Sequence, residues 1–118
     1  MKPYVLGRRG EAEAEAYLQA LGMRTLARRY RGGDGELDLV MEDGERIVFV
    51  EVKASARGEA GDGMCRVTPA KQKRIIHAAS AFLLEREWME RSARFDVVEI
   101  TAAGLRHVPC AFEAGAWD

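Results

Sequence analysis

The sequence predicts an α/β domain, a mixed sheet flanked by helices in the order α-β-β-β-α-β-β. Three observations carry this. Two segments show apolar residues at helical spacing, Gly10 to Leu21 and the stretch opened by Thr68-Pro69. Asp43-Gly44, set between two apolar runs, is a short hairpin signal. The long helical stretch lies between two strand-like runs, VEVK and RFDVVEI, as a right-handed crossover between parallel strands requires.

In chain order, Ala14, Tyr17, Leu18 and Leu21 form one apolar stripe of the first helix. Glu11, Glu13 and Glu15 flank it in the first turns, where the helix dipole favours carboxylates, and Gly22 is a natural stop. Met23 to Tyr30 holds a first strand, and Arg31 to Gly35 (RGGDG) is a turn. Glu36 to Met41 alternates as a strand, and Arg46 to Lys53, rich in Val, Ile and Phe, is the other hairpin arm. Ala54 to Val67 reads as a long Gly-rich loop of the kind that serves function. Thr68 caps the second helix, with Pro69 at its first position, and that helix is expected to run to about Glu90. Arg94 to Ile100 is a strand, Ala103-Gly104 a turn, Leu105 to Val108 a last short strand, and the tail PCAFEAGAWD is expected to be irregular or one turn of helix.

The 118 residues suit a single domain, 1–118, with one real core. Hydrophobic residues make up 47% and charged residues 31%, an ordinary globular balance. No apolar run approaches the ~20 residues of a membrane span, and the N-terminal residues lack a signal-peptide core, so the expectation is a cytoplasmic protein without a membrane partner. Cys65 and Cys110 form no CxxC pair and read as reduced thiols, and His77 and His107 form no metal-spaced pair. Net charge is -1, but the charges are segregated: Arg24, Arg28, Arg29 and Arg31 form one basic run, Lys71, Lys73 and Arg74 another. Such patches bind phosphates, although solvated surface charge is the commoner fate of such runs.

Strand parity places the remaining charges. With Asp43 and Gly44 as the two loop residues, Glu42 faces Glu45, Leu39 faces Val48, Asp38 faces Phe49 and Glu36 faces Glu51. One face then carries Glu36, Asp38, Val40, Ile47, Phe49, Glu51 and Lys53; the other, Leu37, Leu39, Met41, Val48, Val50 and Val52, is apolar and must be core. Asp38 and Glu51 become diagonal neighbours at the end of the face that holds Lys53. Two carboxylates this close repel, and a divalent cation between them removes the penalty. Mg²⁺ (or Mn²⁺) takes one or two carboxylates and keeps waters and phosphate oxygens, and a lysine beside it orients water or stabilises phosphoryl charge. The plainer alternative is a salt bridge of Lys53 with Glu51 or Asp38.

At these residues the sequence resembles the PD-(D/E)xK nuclease superfamily, with Asp38 as the first acid and Glu51-Val52-Lys53 as the (D/E)xK element. Four stretches, GRRGEAEAEAYLQALGMRTLARRYR, GELDLVMEDGERIVFVEVK, AKQKRIIHAASAFL and RFDVVEI, resemble the YraN-like family of small bacterial proteins. The resemblance implies a restriction-endonuclease-like core and a relation to archaeal Holliday-junction resolvases. It implies Glu11, within GRRGE, as a further metal-proximal acid, and Glu36 as a neighbour of the site. Ser55 stands where many members have arginine, and Arg29 where asparagine is common.

These readings lead to a metal-dependent endonuclease acting on structured DNA. Asp38 and Glu51 hold Mg²⁺ or Mn²⁺, Glu11 assists and Lys53 positions the attacking water. Arg28, Arg31, Lys71, Gln72 and Arg74 meet backbone phosphates, and the resolvase analogy implies a homodimer. Two alternatives remain: a nucleic-acid-binding accessory protein of DNA repair or recombination without turnover, and an interaction protein whose charges are ion pairs.

Overall fold

The computed structural model describes residues 3–54 and 67–114, with side chains from residue 10 onward. Its elements are α1 (Pro3–Ala20), β1 (Arg24–Gly32), β2 (Gly35–Asp43), β3 (Arg46–Ala54), α2 (Pro69–Glu85), β4 (Ala93–Thr101) and β5 (Gly104–Phe112). The five strands form one sheet in the order β1-β2-β3-β4-β5. Three neighbouring pairs are antiparallel and β3–β4 is parallel, with α2 in the connection. This is the α/β architecture and order expected. Ser55, Cys65 and most of the Gly-rich loop lie outside the described residues, as does the tail beyond 114.

The sheet has a core on each face. On the α2 side, Val40, Ile47, Phe49, Phe95 and Val97 pack with Ile75, Ala78, Ala79, Phe82 and Leu83 of the helix. The Phe82 ring meets Phe49 and Tyr30 edge-on, at 6.0 and 5.2 Å. On the α1 side, Leu39, Met41, Val48, Val50 and Val98 pack with Ala14 and Leu18. Strand parity therefore assigns nearly all of the core correctly. Leu37 is the exception: it belongs to the α2 core, although it is two residues from Leu39. Regular alternation slips at Asp38. On β1, Arg29 lies between Arg28, paired with Leu39, and Tyr30, paired with Leu37; its φ of 50° breaks the pleat at the same level.

The hairpin loop is Gly44-Glu45 rather than Asp43-Gly44, since Asp43 pairs with Arg46 and Glu42 with Ile47. Gly44, at φ 64°, supplies the first central residue of the turn. The pairing moves by two positions in total, so each residue keeps its face while Leu39 faces Val50 instead of Val48. The RGGDG turn contains a second tight loop, Gly33-Asp34, with φ 54° and 65°. It lies directly against α2: a Cβ on Gly35 would sit 2.1 Å from the Arg74 carbonyl oxygen.

Both helices end in the same hydrogen-bond pattern. After α1, Gly22 N–H donates to Gln19 O and Met23 N–H to Leu18 O, with Gly22 at φ 100°. After α2, Glu87 N–H donates to Leu84 O and Trp88 N–H to Leu83 O, with Glu87 at φ 60°. The second helix therefore stops at Glu85, short of the expected Glu90. Its Thr68 cap accepts from Lys71 N–H at 3.2 Å. α1 begins at Pro3, ahead of the Gly10 expected, and β5 continues through Pro109, Cys110 and Ala111 to Phe112, correcting the expectation of an irregular tail from Pro109.

Candidate functional site

The end of the sheet where β2 parts from β3 brings two acids together. The last paired residues there are Leu39 and Val50. Beyond them, the Asp38 carboxylate replaces a backbone partner and accepts from Val52 N–H at 2.8 Å. Glu51 is buried on the α2 side of β3. Burial pushes the Asp38 carboxyl up to about 8; the Glu51 charge and a hydrogen bond to Glu51 add to this, the Val52 N–H opposes it, and the Glu11 charge raises it slightly further. Asp38 is thereby pushed toward its protonated form.

Glu51 meets Lys71 of the first turn of α2, with Nζ 2.5 Å from Oε2. Lys53 lies two residues beyond Glu51 on the same strand face, half-buried, and is paired in register with Glu99 of β4. Glu11 reaches this end of the sheet because Gly10 lets α1 approach β3: a Cβ on Gly10 would lie 2.7 Å from that of Ala54. Its carboxylate accepts from Arg29 Nε at 2.9 Å.

A cleft of about 650 Å³ opens beside Lys71, lined by Arg31, Gly32, Asp34, Gly35, Glu36, Lys71, Arg74 and Ile75. Three of the expected phosphate-binding residues, Arg31, Lys71 and Arg74, thus share one cavity. Glu36 is on its rim and bonded to Arg31 at 2.8 Å. The other two are engaged elsewhere. Arg28 forks onto Glu15 at 2.9 and 2.6 Å, which lowers the Glu15 pKa chiefly through that hydrogen bond. The Gln72 amide donates to Val67 O at 2.8 Å and ties down the chain entering α2.

Sequence reasoning did not find two features of this region. Arg29 reads from the sequence as one member of a basic run and as a departure from asparagine; its left-handed φ, a conformation asparagine tolerates well, is what that departure signals. Glu99 is fully buried on the same face as Phe95 and Val97. A carboxylate at an inward position of RFDVVEI was its signal.

The donor set suits a hard divalent cation. Asp38 and Glu51 supply two adjacent carboxylates; their repulsion pushes Asp38 toward protonation, and Glu51 has the Lys71 ammonium beside it. Mg²⁺ and Mn²⁺ are satisfied by one or two carboxylates with water and phosphate oxygens completing the shell. Among the described residues no three His, Cys, Asp or Glu side chains converge on one point, so a cation here would rest on the pair, with Glu11 held aside by Arg29.

Residues 10–100 match the family described as Uncharacterised protein family UPF0102. The chain belongs to UPF0102, the YraN-like family that the sequence resembles. It is 44% identical over 110 residues to a UPF0102 protein of Herminiimonas arsenicoxydans, covering 93% of this chain and 88% of that one. It is 41% identical over 112 residues to one of Geobacter metallireducens, covering 92% of each, and 44% identical over 103 residues to one of Chlorobium limicola, covering 87% and 80%. No described helix of this UPF0102 protein is long and apolar enough to cross a membrane.

Proposed function

We propose that the end of the sheet carrying Asp38, Glu51 and Lys53 is a metal-dependent phosphodiesterase centre that hydrolyses structured DNA. The observation that carries this reading is the Asp38–Glu51 pair: two carboxylates from neighbouring strands pressed together by the fold, the Asp38 carboxyl pushed up to about 8, with Lys53 the next residue on the Glu51 face of β3. A cation on this pair would take the place of the Lys71 ammonium beside Glu51 and of a proton at Asp38.

When bound, Mg²⁺ or Mn²⁺ would supply Lewis-acid stabilisation of a phosphate oxygen and a more acidic water. The chain's own residues supply the rest. The Lys53 ammonium orients the attacking water and stabilises charge growing on the phosphoryl oxygens. Water oxygen bonds to phosphorus, the bond to one bridging oxygen breaks, and the proton lost by water is passed to solvent while the leaving oxygen regains one. Arg31 and Arg74 hold a neighbouring backbone phosphate in the cleft, a contact that positions but does not read sequence. A four-way junction requires two symmetric cuts, so a homodimer accompanies this reading.

One observation favours the alternative of nucleic-acid binding without turnover. Glu51 and Glu11 already have basic partners in Lys71 and Arg29, and Arg28 is committed to Glu15. The deciding experiment is cleavage of labelled duplex, single-stranded, flap and four-way-junction DNA with Mg²⁺ or Mn²⁺, beside Lys53→Ala. The expected result is cutting by wild type that Lys53→Ala abolishes. Retention of a junction or single strand in the gel with no cutting by either protein replaces the nuclease reading with the binding one.

A further inference from the structure

We propose that Lys71 is a mobile counter-cation that couples divalent-cation binding at Glu51 to phosphate binding in the adjacent cleft; this rests on the metal-centre reading above. Lys71 is the third residue of α2, in the turn where the helix dipole disfavours a cation. It stays there because its ammonium has an anion, and at present that anion is Glu51 Oε2 at 2.5 Å. The Glu51 side chain is 7% exposed and that of Lys71 44% exposed. The carboxylate is therefore fixed and the lysine, on four flexible carbons, is the partner free to move.

A divalent cation on the same carboxylate would face a positive charge within a few ångströms, so Lys71 must leave for it to enter. The lysine also lines the cleft with Arg31, Arg74, Asp34 and Glu36. While Lys71 neutralises Glu51, the other two cleft cations are balanced by the two cleft acids, and Arg31 is bonded to Glu36. Released from Glu51, the ammonium gives the cleft a net positive charge and itself needs a new anion at the start of the helix. A nucleic-acid phosphate in the cleft meets both needs. The two ligands then assist each other, and reciprocity makes the assistance equal in both directions.

The test is calorimetric titration of Mn²⁺ into the protein alone and into the protein with a thymidine dinucleotide carrying a phosphorothioate linkage, which keeps the backbone charge. Wild type is expected to bind Mn²⁺ about 5- to 150-fold more tightly with the dinucleotide, the usual range of such coupling. Lys71→Met is expected to bind Mn²⁺ alone several-fold more tightly than wild type and to gain nothing from the dinucleotide. Lys71→Arg, which keeps the charge, is expected to retain the coupling and controls for folding. Lys71→Met that binds Mn²⁺ no more tightly, or that still responds to the dinucleotide, overturns the coupling alone. Wild type that takes up no Mn²⁺ overturns the metal centre and the coupling together.

Discussion

Two aspartates of the sheet, Asp96 and Asp38, receive opposite treatment. Asp96, on the α1 side of β4, is fully buried and completely matched. Its Oδ1 accepts from Arg94 Nε at 3.0 Å and Cys110 N–H at 3.1 Å; its Oδ2 meets Arg94 Nη2 at 3.1 Å and His107 Nε2 at 2.8 Å. The Tyr17 ring of α1 then stands edge-on to His107, 5.5 Å away, and joins helix to strand. Among the described residues Asp38 accepts from one backbone N–H, that of Val52, and burial and the Glu51 charge push its carboxyl up. Both sites cost desolvation. At Asp96 that cost is answered by hydrogen bonds and charge, and the residue fastens the fold. At Asp38 the cost is met instead by pushing the carboxyl toward its protonated form, a perturbation of the kind that clusters at functional sites.

The sharpest way to break this contrast is to remove each acid in turn. Asp96→Ala strands Arg94 and His107 and should destabilise the protein by about 3–5 kcal/mol in urea unfolding. Asp38→Ala should cost far less, and equal losses would erase the distinction.

The next effect is pH dependence. The Asp38 pKa is raised from 3.8 to about 8 in the folded protein. Below about pH 4 both folded and unfolded chains hold the proton; between there and about 8 only the folded chain does. Unfolding therefore releases a proton in that window, and the stabilisation, complete at the acid end, is lost as pH rises through 8. The slope contributed approaches 2.303RT, about 1.4 kcal/mol per pH unit. Asp38→Asn keeps an acceptor for Val52 N–H and should flatten the slope, read from melting temperatures between pH 5 and 9. Saturating Mn²⁺ should restore wild-type stability at pH 8 and do little for Asp38→Asn.

Arg29→Asn sharpens the contrast further. It relieves a left-handed φ but removes the partner of Glu11, so stability should change by no more than about 1 kcal/mol. The Asp38 carboxyl, followed by NMR titration, should move upward, because Glu11 would act on it with its charge unmatched. The smallest effect is a surface control: Arg31→Ala should cost about 0.2–1 kcal/mol, since its pair with Glu36 is exposed.

Much of this was readable from the residues. The DG turn, the VEVK and RFDVVEI runs and the Thr68-Pro69 start gave the element order, and parity placed Asp38 and Glu51 at one end of one face. The loop residues were misread because Asp43-Gly44 and Gly44-Glu45 both put a glycine in a two-residue turn. The error left the faces intact because it moved the register by an even number. Leu37 could not be placed, since the slip at Asp38 depends on the backbone of Arg29 on another strand. The end of α2 was missed for a chemical reason: α1 stops at a glycine in the left-handed conformation, whereas α2 uses Glu87 there. Trp88, packed edge-on against Phe82 at 6.2 Å, favours that conformation by burying its ring. Salt-bridge partners such as Lys71 with Glu51 lie beyond any local pattern, because they depend on how helix and sheet come to rest.

The glycine turn against α2 has one more consequence. Where Gly33 and Gly35 meet the carbonyls of His77 and Arg74, nothing but main chain separates loop from helix. The aperture of the neighbouring cleft is thus gauged by backbone thickness, a quantity that exchanging the side chains of Arg31, Glu36, Lys71 or Arg74 does not alter. Exchanging those side chains retunes what the opening admits without changing its width; a single methyl group at residue 35 would force it wider.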